Sequence, residues 1–489
     1  MSAFSDLLGS LIEQKNIKIF SMVKYCNLDR STMYKIINGK RNPPSLEVLH
    51  KMSQFMCLTP TEYKKLEEAW EITKIGPETY YRRKSVEKFI CQFPDRLTTK
   101  FSIPAPLSEI TFDNGGAECI ALTSRQHINY YVHQMLLAES GKSFGRIGLF
   151  LQADYHFLFN LLPSLQPIGN LQINHIMCIS NEPTFSEDHQ LLILKYLHEI
   201  FPLYMTNLDY TLLYYYDRIQ SHYHNMNLFP CMILTSDSAL LCTSDYQTGL
   251  FYKTKDIVNV LWNLYNSYQE KCTRIFRPSA FTPDSHETLL QTMFNSDFEE
   301  SILYGIQPEP CLTPFFTGKL LREIFNYDLP NAESILLKAE QSFLKSREKI
   351  EKQQFFIYSI GDGLLQFLKT GHTNEIPEIF YHPLTITQRI EILQQVRQYC
   401  LNGTYRFLKQ PLNHLPCNLH FTVFGQSGFM IFRKNNGQSA VLQITENRLI
   451  NIFRDYLENM NPSSFYTAEE CSASIDMALE TLRTKQRID

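Results

Sequence analysis

Residues Ser21–Leu49 read SMVKYCNLDRSTMYKIINGKRNPPSLEVL, and this stretch decides what the N-terminal part of the chain is. Its apolar spacing predicts a short helix from Ile19 to Tyr25, a break, and a second helix from Arg30 to Asn38. Asn27 stands at the break, and Asn is among the few non-glycine residues that tolerate left-handed backbone. Asp29 is placed to cap the second helix, because its carboxylate can accept a free backbone N–H of the first turn. Gly39 supplies the stop. Met33, Ile36 and Ile37 lie at i, i+3 and i+4 and are expected to pack inward. Arg30, Ser31, Tyr34, Lys35 and Asn38 are expected on the other side: a guanidinium, hydroxyls, an ammonium and an amide, the groups that read base edges or grip phosphates.

Working outward, Phe4, Leu7, Leu8, Leu11 and Ile12 predict a first amphipathic helix. Ser45 opens a fourth, expected to carry Leu46, Leu49, Met52 and Met56 inward. Thr59-Pro60-Thr61-Glu62 opens a fifth, a capping box with Pro at the first helical position. Two short helices joined by a tight turn, the second of them basic, are helix-turn-helix geometry. Charge agrees with a polyanion contact. Residues 1–93 hold 15 Lys/Arg against 10 Asp/Glu, whereas the remaining 396 residues hold 31 against 40. Between 15 and 41, Lys15, Lys18, Lys24, Arg30, Lys35, Lys40 and Arg41 face the single acid Asp29.

The turn Asn38-Gly39-Lys40, the prolines Pro43-Pro44 and the helix opening Ser45-Leu46-x-x-Leu49 carry a family likeness. On them, Ser21–Leu49 resembles the helix-turn-helix family of phage repressors, Cro proteins and xenobiotic-response-type (XRE) bacterial regulators. The resemblance implies a lambda-repressor-like, all-α five-helix domain over 1–75 that binds double-stranded DNA. By the same resemblance Arg30, Ser31, Tyr34 and Lys35 reach base edges, while Asn38, Lys40 and Arg41 contact phosphates. Such regulators commonly act as homodimers on two half-sites. The chain departs from the family pattern at Met22-Val23, where Leu-Ala is usual, and at Asn27, where Gly is usual. Val23 is bulkier than Ala and implies a slightly wider helix crossing.

The expected organisation is multidomain. After the 1–75 domain come a connector helix and a Pro/Gly-bearing linker over 76–117, then a large mixed α+β region over 118–489. In that region helical patterns fall near 125–140, 187–201, 254–270, 386–400 and 446–459. Apolar runs Ile147–Leu151, Ile173–Ile179, Cys231–Leu234 and His420–Phe424 read as buried strands. Phe229–Tyr268 and Leu415–Leu457 share a Pro-Cys pair followed by a strand–turn–strand–strand–helix pattern. Two similar units, about 118–272 and 273–489, are one reading of this likeness, and convergent patterning is the other.

No catalytic signature stands out. Gly425-Gln-Ser-Gly428 ends on Phe429 rather than on the Gly of a nucleophile elbow. His222-Tyr-His224 lacks further ligands at helical spacing, and Gly361-Asp-Gly363 reads as a helix interruption. The twelve cysteines include no C-x-x-C pair, and Cys231 and Cys417 read as small buried residues. No stretch reaches the roughly 18 apolar residues of a membrane span, and the N-terminus has no signal-peptide pattern. The expectation is a cytoplasmic, homodimeric transcription regulator with no cofactor, no metal and no membrane contact, not an enzyme. Its C-terminal region is expected to sense an effector or to dimerise. The alternatives are an enzyme with an appended DNA-targeting domain and a helix-turn-helix module used only for protein contacts.

Overall fold

The computed structural model describes residues 2–93, 118–218, 228–280, 282–410, 412, 419–434 and 436–486. The linker expected over 94–117, the His222-Tyr-His224 triplet and the second Pro-Cys pair, Pro416-Cys417, lie outside these residues. The chain divides into two compact units, Met1–Ser85 with Glu187–Leu191, and Val86–Ser186 with Leu192–Asp489.

The first unit is helical: α1 (Ala3–Gln14), α2 (Ile19–Tyr25), α3 (Arg30–Ile37), α4 (Leu46–Phe55), α5 (Pro60–Ile75) and the start of α6 (Pro77–Cys91). Local chemistry sets the boundaries. Ser2 and Ser5 form a reciprocal capping box at α1, and Thr59 and Glu62 form one at α5, with Pro60 at the first helical position. Phe4, Leu8, Met22, Met33, Ile36, Leu49, Met52 and Leu66 are wholly buried and form the core. Two expectations need correction. Ile37 is only half-buried at the rim of this core. Leu46 is 42% exposed, because a helical side chain leans over the turn that precedes it, and the first residue of α4 has only loop there.

The second unit is mixed α/β and contains two sheets. Its first half runs β1 (Cys119–Leu122), α7 (Arg125–Ser140), β2 (Phe144–Phe150), α8 (His156–Leu161), β3 (Asn170–Ile179), α9 (Leu192–Tyr204), β4 (Asp209–Tyr216), β5 (Cys231–Leu234), β6 (Ala239–Cys242), β7 (Gly249–Tyr252), α10 (Lys255–Gln269) and β8 (Thr273–Arg274). Its second half runs β9 (Phe276–Ala280), α11 (Pro283–Met293), α12 (Ser296–Glu300), β10 (Leu303–Gln307), α13 (Gly318–Ile324), α14 (Ala332–Glu351), β11 (Phe355–Ser359), α15 (Leu364–Thr370), α16 (Ile386–Leu401) and β12 (Tyr405–Phe407). There follow β13 (His420–Phe424), β14 (Ser427–Arg433), β15 (Ser439–Ile444), α17 (Asn447–Glu458) and α18 (Ala468–Gln486). The four strands read from sequence are present as β2, β3, β5 and β13. The helix read over 187–201 begins later, at Leu192, and Gly361–Gly363 forms a 3-10 turn in front of α15.

The two sheets share one topology. Their orders are β1-β7-β6-β5-β2-β3-β4-β8 and β12-β11-β10-β13-β14-β15-β9. In each, three parallel strands (β2, β3, β4 and β10, β11, β12) adjoin an antiparallel meander (β5–β7 and β13–β15). The strand that precedes the set, β1 or β9, closes the far edge against the last meander strand. Among the described residues only β8 has no counterpart. The chain crosses between sheets at the buried Ile275, whose N–H donates to the Leu212 carbonyl at 3.1 Å and whose carbonyl accepts from Thr445 N–H at 2.9 Å. Nearby, the Tyr216 hydroxyl of the first half donates to the buried Glu446 carboxylate of the second, which also caps α17.

Behind the second sheet, between its β10–β11 and β13–β14 strands and helices α11–α14, lies a cavity of about 140 Å³. Its walls are mostly aromatic and aliphatic. Among the described residues no helix is long and apolar enough to cross a membrane, and no group of three or more His, Cys, Asp or Glu is placed to hold a metal ion.

Candidate nucleic-acid interface

The turn between α2 and α3 is built by backbone conformation. Cys26 N–H closes α2 on the Met22 carbonyl at 2.9 Å, and Asn27 then takes φ 51°, left-handed as its side chain permits. Leu28 N–H returns to the Val23 carbonyl at 3.2 Å. Asp29 follows in extended conformation and caps α3, its carboxylate accepting Thr32 N–H at 2.8 Å. Hydrogen bonds from Thr32 hold that carboxyl below the usual range, so it is ionised at neutral pH. A negative cap also suits the positive end of the helix dipole.

The end of α3 is closed with equal definition. Gly39, at φ 71°, donates its N–H to Ile36 at 3.1 Å, and Lys40 donates to Lys35 at 2.8 Å, the paired bonds of a Schellman motif. A Cβ at Gly39 would approach Ser5 Oγ to 2.7 Å, so glycine is required here for contact as well as for conformation. The Trp70 indole N–H donates to the Pro43 carbonyl at 3.3 Å and ties the following loop to α5.

Between these stops α3 divides cleanly. Met33 and Ile36 are wholly buried, while Arg30, Ser31, Tyr34 and Lys35 are exposed. Asn38, Lys40 and Arg41, on the capping turn, are exposed too. Arg30 lies 5.7 Å over the Tyr34 ring, a cation–π pair that pre-orients both side chains. The structure thus brings all seven residues named from sequence onto one helix and its closing turn. It adds Phe20 and Lys24 on α2, with Lys24 Nζ 4.7 Å from the centre of the 63%-exposed Phe20 ring. Their i, i+4 spacing on a helix is the signal by which sequence alone identifies such a pair.

This geometry is that of a DNA-binding module, and residues 8–62 match the model of the Cro/C1-type helix-turn-helix DNA-binding domain. The chain therefore carries a Cro/C1-type DNA-binding domain at its N-terminus, as the resemblance implied. No curated protein matches the chain. Similar solved structures include a phosphatidylserine synthase of Haemophilus influenzae Rd KW20, at 8% identity and TM-score 0.25, covering 83% of this chain and 98% of that one. An archaeal chromatin protein, TrmBL2, is similar at 10% identity and TM-score 0.22, over 49% of this chain and 87% of that one. A polyphosphate kinase from Porphyromonas gingivalis is similar at 11% identity and TM-score 0.20, over 89% and 64%. Two of these are enzymes, so the expectation that this chain is not an enzyme is not borne out by the comparisons. Scores this low assign no reaction.

Proposed function

We propose that the chain is a sequence-specific DNA-binding regulator, cytoplasmic and homodimeric, with a DNA-binding domain over 1–75 and a sensing or dimerising region over 118–489. One observation carries the reading: seven exposed polar and cationic side chains stand on α3 and its capping turn, inside the segment that matches the DNA-binding family model. In this proposal Arg30, Ser31, Tyr34 and Lys35 face base edges, and Asn38, Lys40 and Arg41 face phosphates. One recognition helix presents a small interface, so two copies on half-sites about one helical turn apart supply affinity and register. The shared topology of the two sheets supports a duplicated C-terminal region of two similar units, near 118–272 and 273–489. The test is salt-dependent binding of the full chain to genomic fragments. Affinity indifferent to both salt and sequence sinks the proposal.

A second reading, an enzyme carried to DNA by its N-terminal domain, has its own observation. Glu375, Cys311, Thr313 and His420 line one cavity, and carboxyl, thiol, hydroxyl and imidazole are the groups of acid–base and nucleophilic chemistry. Turnover of a small molecule by the full chain, lost in Glu375→Gln, separates this reading from the first.

A further inference from the structure

The cavity behind the second sheet is apolar except along one strand edge. Phe298, Phe316, Phe343 and Phe424 face it, and Leu303 and Ile357 extend its floor. Strand alternation explains its polar side. His420, Thr422 and Phe424 fall at i, i+2 and i+4 of β13 and so share the face turned to the cavity. Gln307, at the end of the neighbouring β10, joins them.

Nearly every polar group there is already engaged. The Glu375 carboxylate accepts Leu312 N–H at 2.6 Å, Thr313 N–H at 3.2 Å, Thr313 Oγ1–H at 2.6 Å, Cys311 Sγ–H at 3.4 Å and Gln307 Nε2–H at 3.3 Å. Gln307 spends a second N–H on the Glu309 carbonyl at 2.8 Å. The Tyr381 hydroxyl accepts Thr373 N–H at 2.7 Å. His420 differs. Its ring is buried, 5% exposed, and among the described residues its Nε2 has no hydrogen-bond partner. An orphaned buried polar atom is disfavoured, and one that lines a cavity is satisfied by whatever fills that cavity.

We propose that this cavity binds a small, neutral, largely apolar molecule bearing one hydroxyl group, of the phenol class, with the hydroxyl seated on His420 Nε2. Size sets the first limit. A dry, apolar cavity of about 150 Å³ accommodates benzene, so roughly six to nine non-hydrogen atoms fit in this one. Charge sets the second. Burial, with a smaller contribution from the Arg433 charge, holds the His420 imidazole neutral, its pKa lowered to about 4, so the ring itself offers an anion no charge. The buried carboxyl groups of Glu309 and Glu375, both shifted upward by burial, supply no positive charge either. The lone pairs of Glu375 are taken by five donors, leaving no open carboxylate acceptor for an ammonium group. A hydroxyl both donates and accepts, and therefore serves either tautomer of His420. The inference stands on the cavity alone, whether its occupant is an effector or a substrate, and its test measures neither DNA binding nor turnover.

The experiment titrates the full chain with phenol, toluene, benzoate and benzylamine by calorimetry. Phenol is expected to bind at millimolar concentration or below, and toluene on the order of tenfold more weakly, as befits one lost hydrogen bond. His420→Leu removes the anchor and keeps the wall apolar, so it erases the preference for phenol over toluene. Ala339→Leu fills part of the cavity and weakens both ligands together. Circular dichroism establishes that each variant is folded. Should a variant unfold, the ¹⁵N shift of the His420 ring in the unaltered protein gives the same answer, moving with phenol and not with toluene. Absence of phenol binding at millimolar concentration, an unchanged preference in His420→Leu, or tighter binding of benzoate or benzylamine overturns the proposal.

Discussion

The backbone N–H of Lys40 donates to the carbonyl of Lys35 at 2.8 Å, and Arg41 N–H reaches the same oxygen at 3.1 Å. One carbonyl on the proposed base-reading helix thereby fixes the backbone of two proposed phosphate contacts. Register and recognition are mechanically joined: a change that opens this turn displaces Lys40 and Arg41 relative to Lys35. The joint depends on Gly39, whose φ of 71° lets the chain reverse.

Gly39→Ala is therefore expected to destabilise the N-terminal unit by about 1–2 kcal/mol from left-handed backbone alone. The close approach to Ser5 Oγ adds to this. DNA affinity should fall on every duplex alike, since the turn and not the base-facing side chains is disturbed. Urea denaturation followed by far-ultraviolet circular dichroism checks the first effect, and an unchanged midpoint would refute it.

The helix-turn-helix was legible because its determinants are local. Asn27, Asp29 and Gly39 each fix a bond or a dihedral within a few residues of themselves, and all three do so in the structure. Periodicity alone misplaces Leu46, because its environment depends on what precedes the first turn of α4. In the C-terminal region the strands that are continuous apolar runs were legible. By contrast, α18 buries Cys471, Ser472, Ile475, Ala478, Leu479 and Leu482, a stripe too small and too polar to stand out. The cavity was invisible for a different reason. It joins His420 to residues from 290 to 381, a meeting produced by the pairing of β10 with β13 and by nothing near either strand. The unpartnered Nε2 of His420 has no sequence signal at all.

Glu446 joins the two halves of the second unit. Its carboxylate accepts Leu449 N–H at 2.5 Å, Arg448 N–H at 3.1 Å and the Tyr216 hydroxyl, all at a buried position. Glu446→Ala orphans those donors and should destabilise the second unit by about 2–4 kcal/mol. Glu446→Gln keeps an acceptor and should lose less, and Tyr216→Phe should lose about 1 kcal/mol. Thermal unfolding of the three variants gives the ordering, and equal losses for the first two would contradict the cap.

His175 predicts a pH dependence. Its ring is fully buried between the Tyr210 hydroxyl at 2.7 Å from Nδ1 and the Leu151 carbonyl at 3.0 Å from Nε2. Burial lowers its pKa to about 4. Between the unfolded value of about 6.5 and about 4, the unfolded chain binds a proton that the folded chain refuses, so stability falls as pH falls through that window. The loss is of order 3 kcal/mol and saturates below the folded pKa. Glu309 and Glu375, raised by burial, act with the opposite sign and gain stability as acid protonates them. The difference in slope between the unaltered protein and His175→Gln isolates the histidine: the variant should lose less stability between pH 7 and pH 5. Parallel slopes would rule the histidine out as the cause.

The division of α3 into base-facing and phosphate-facing residues makes the most discriminating prediction. A lost bidentate base contact costs on the order of 1–3 kcal/mol and relaxes preference at one position of the operator. A lost phosphate contact instead weakens all sequences alike and lowers the slope of log K against log salt by about one. Arg30→Ala and Lys35→Ala should therefore narrow the gap between operator and scrambled duplex, whereas Lys40→Ala and Arg41→Ala should preserve it and flatten the salt dependence. Arg30→Ala has a further expected effect, because it removes the cation from above the Tyr34 ring and frees that side chain. Arg30→Lys keeps the charge but not the planar fork, so it should leave the salt slope unchanged and the preference diminished. Met33→Asp is the control for folding: it places a charge at a wholly buried position and should unfold the first unit without selectivity. The measurement is a salt titration of each variant on both duplexes. Equal losses on operator and scrambled DNA for Arg30→Ala and Lys35→Ala would leave α3 as a generic basic surface and end the base-reading assignment.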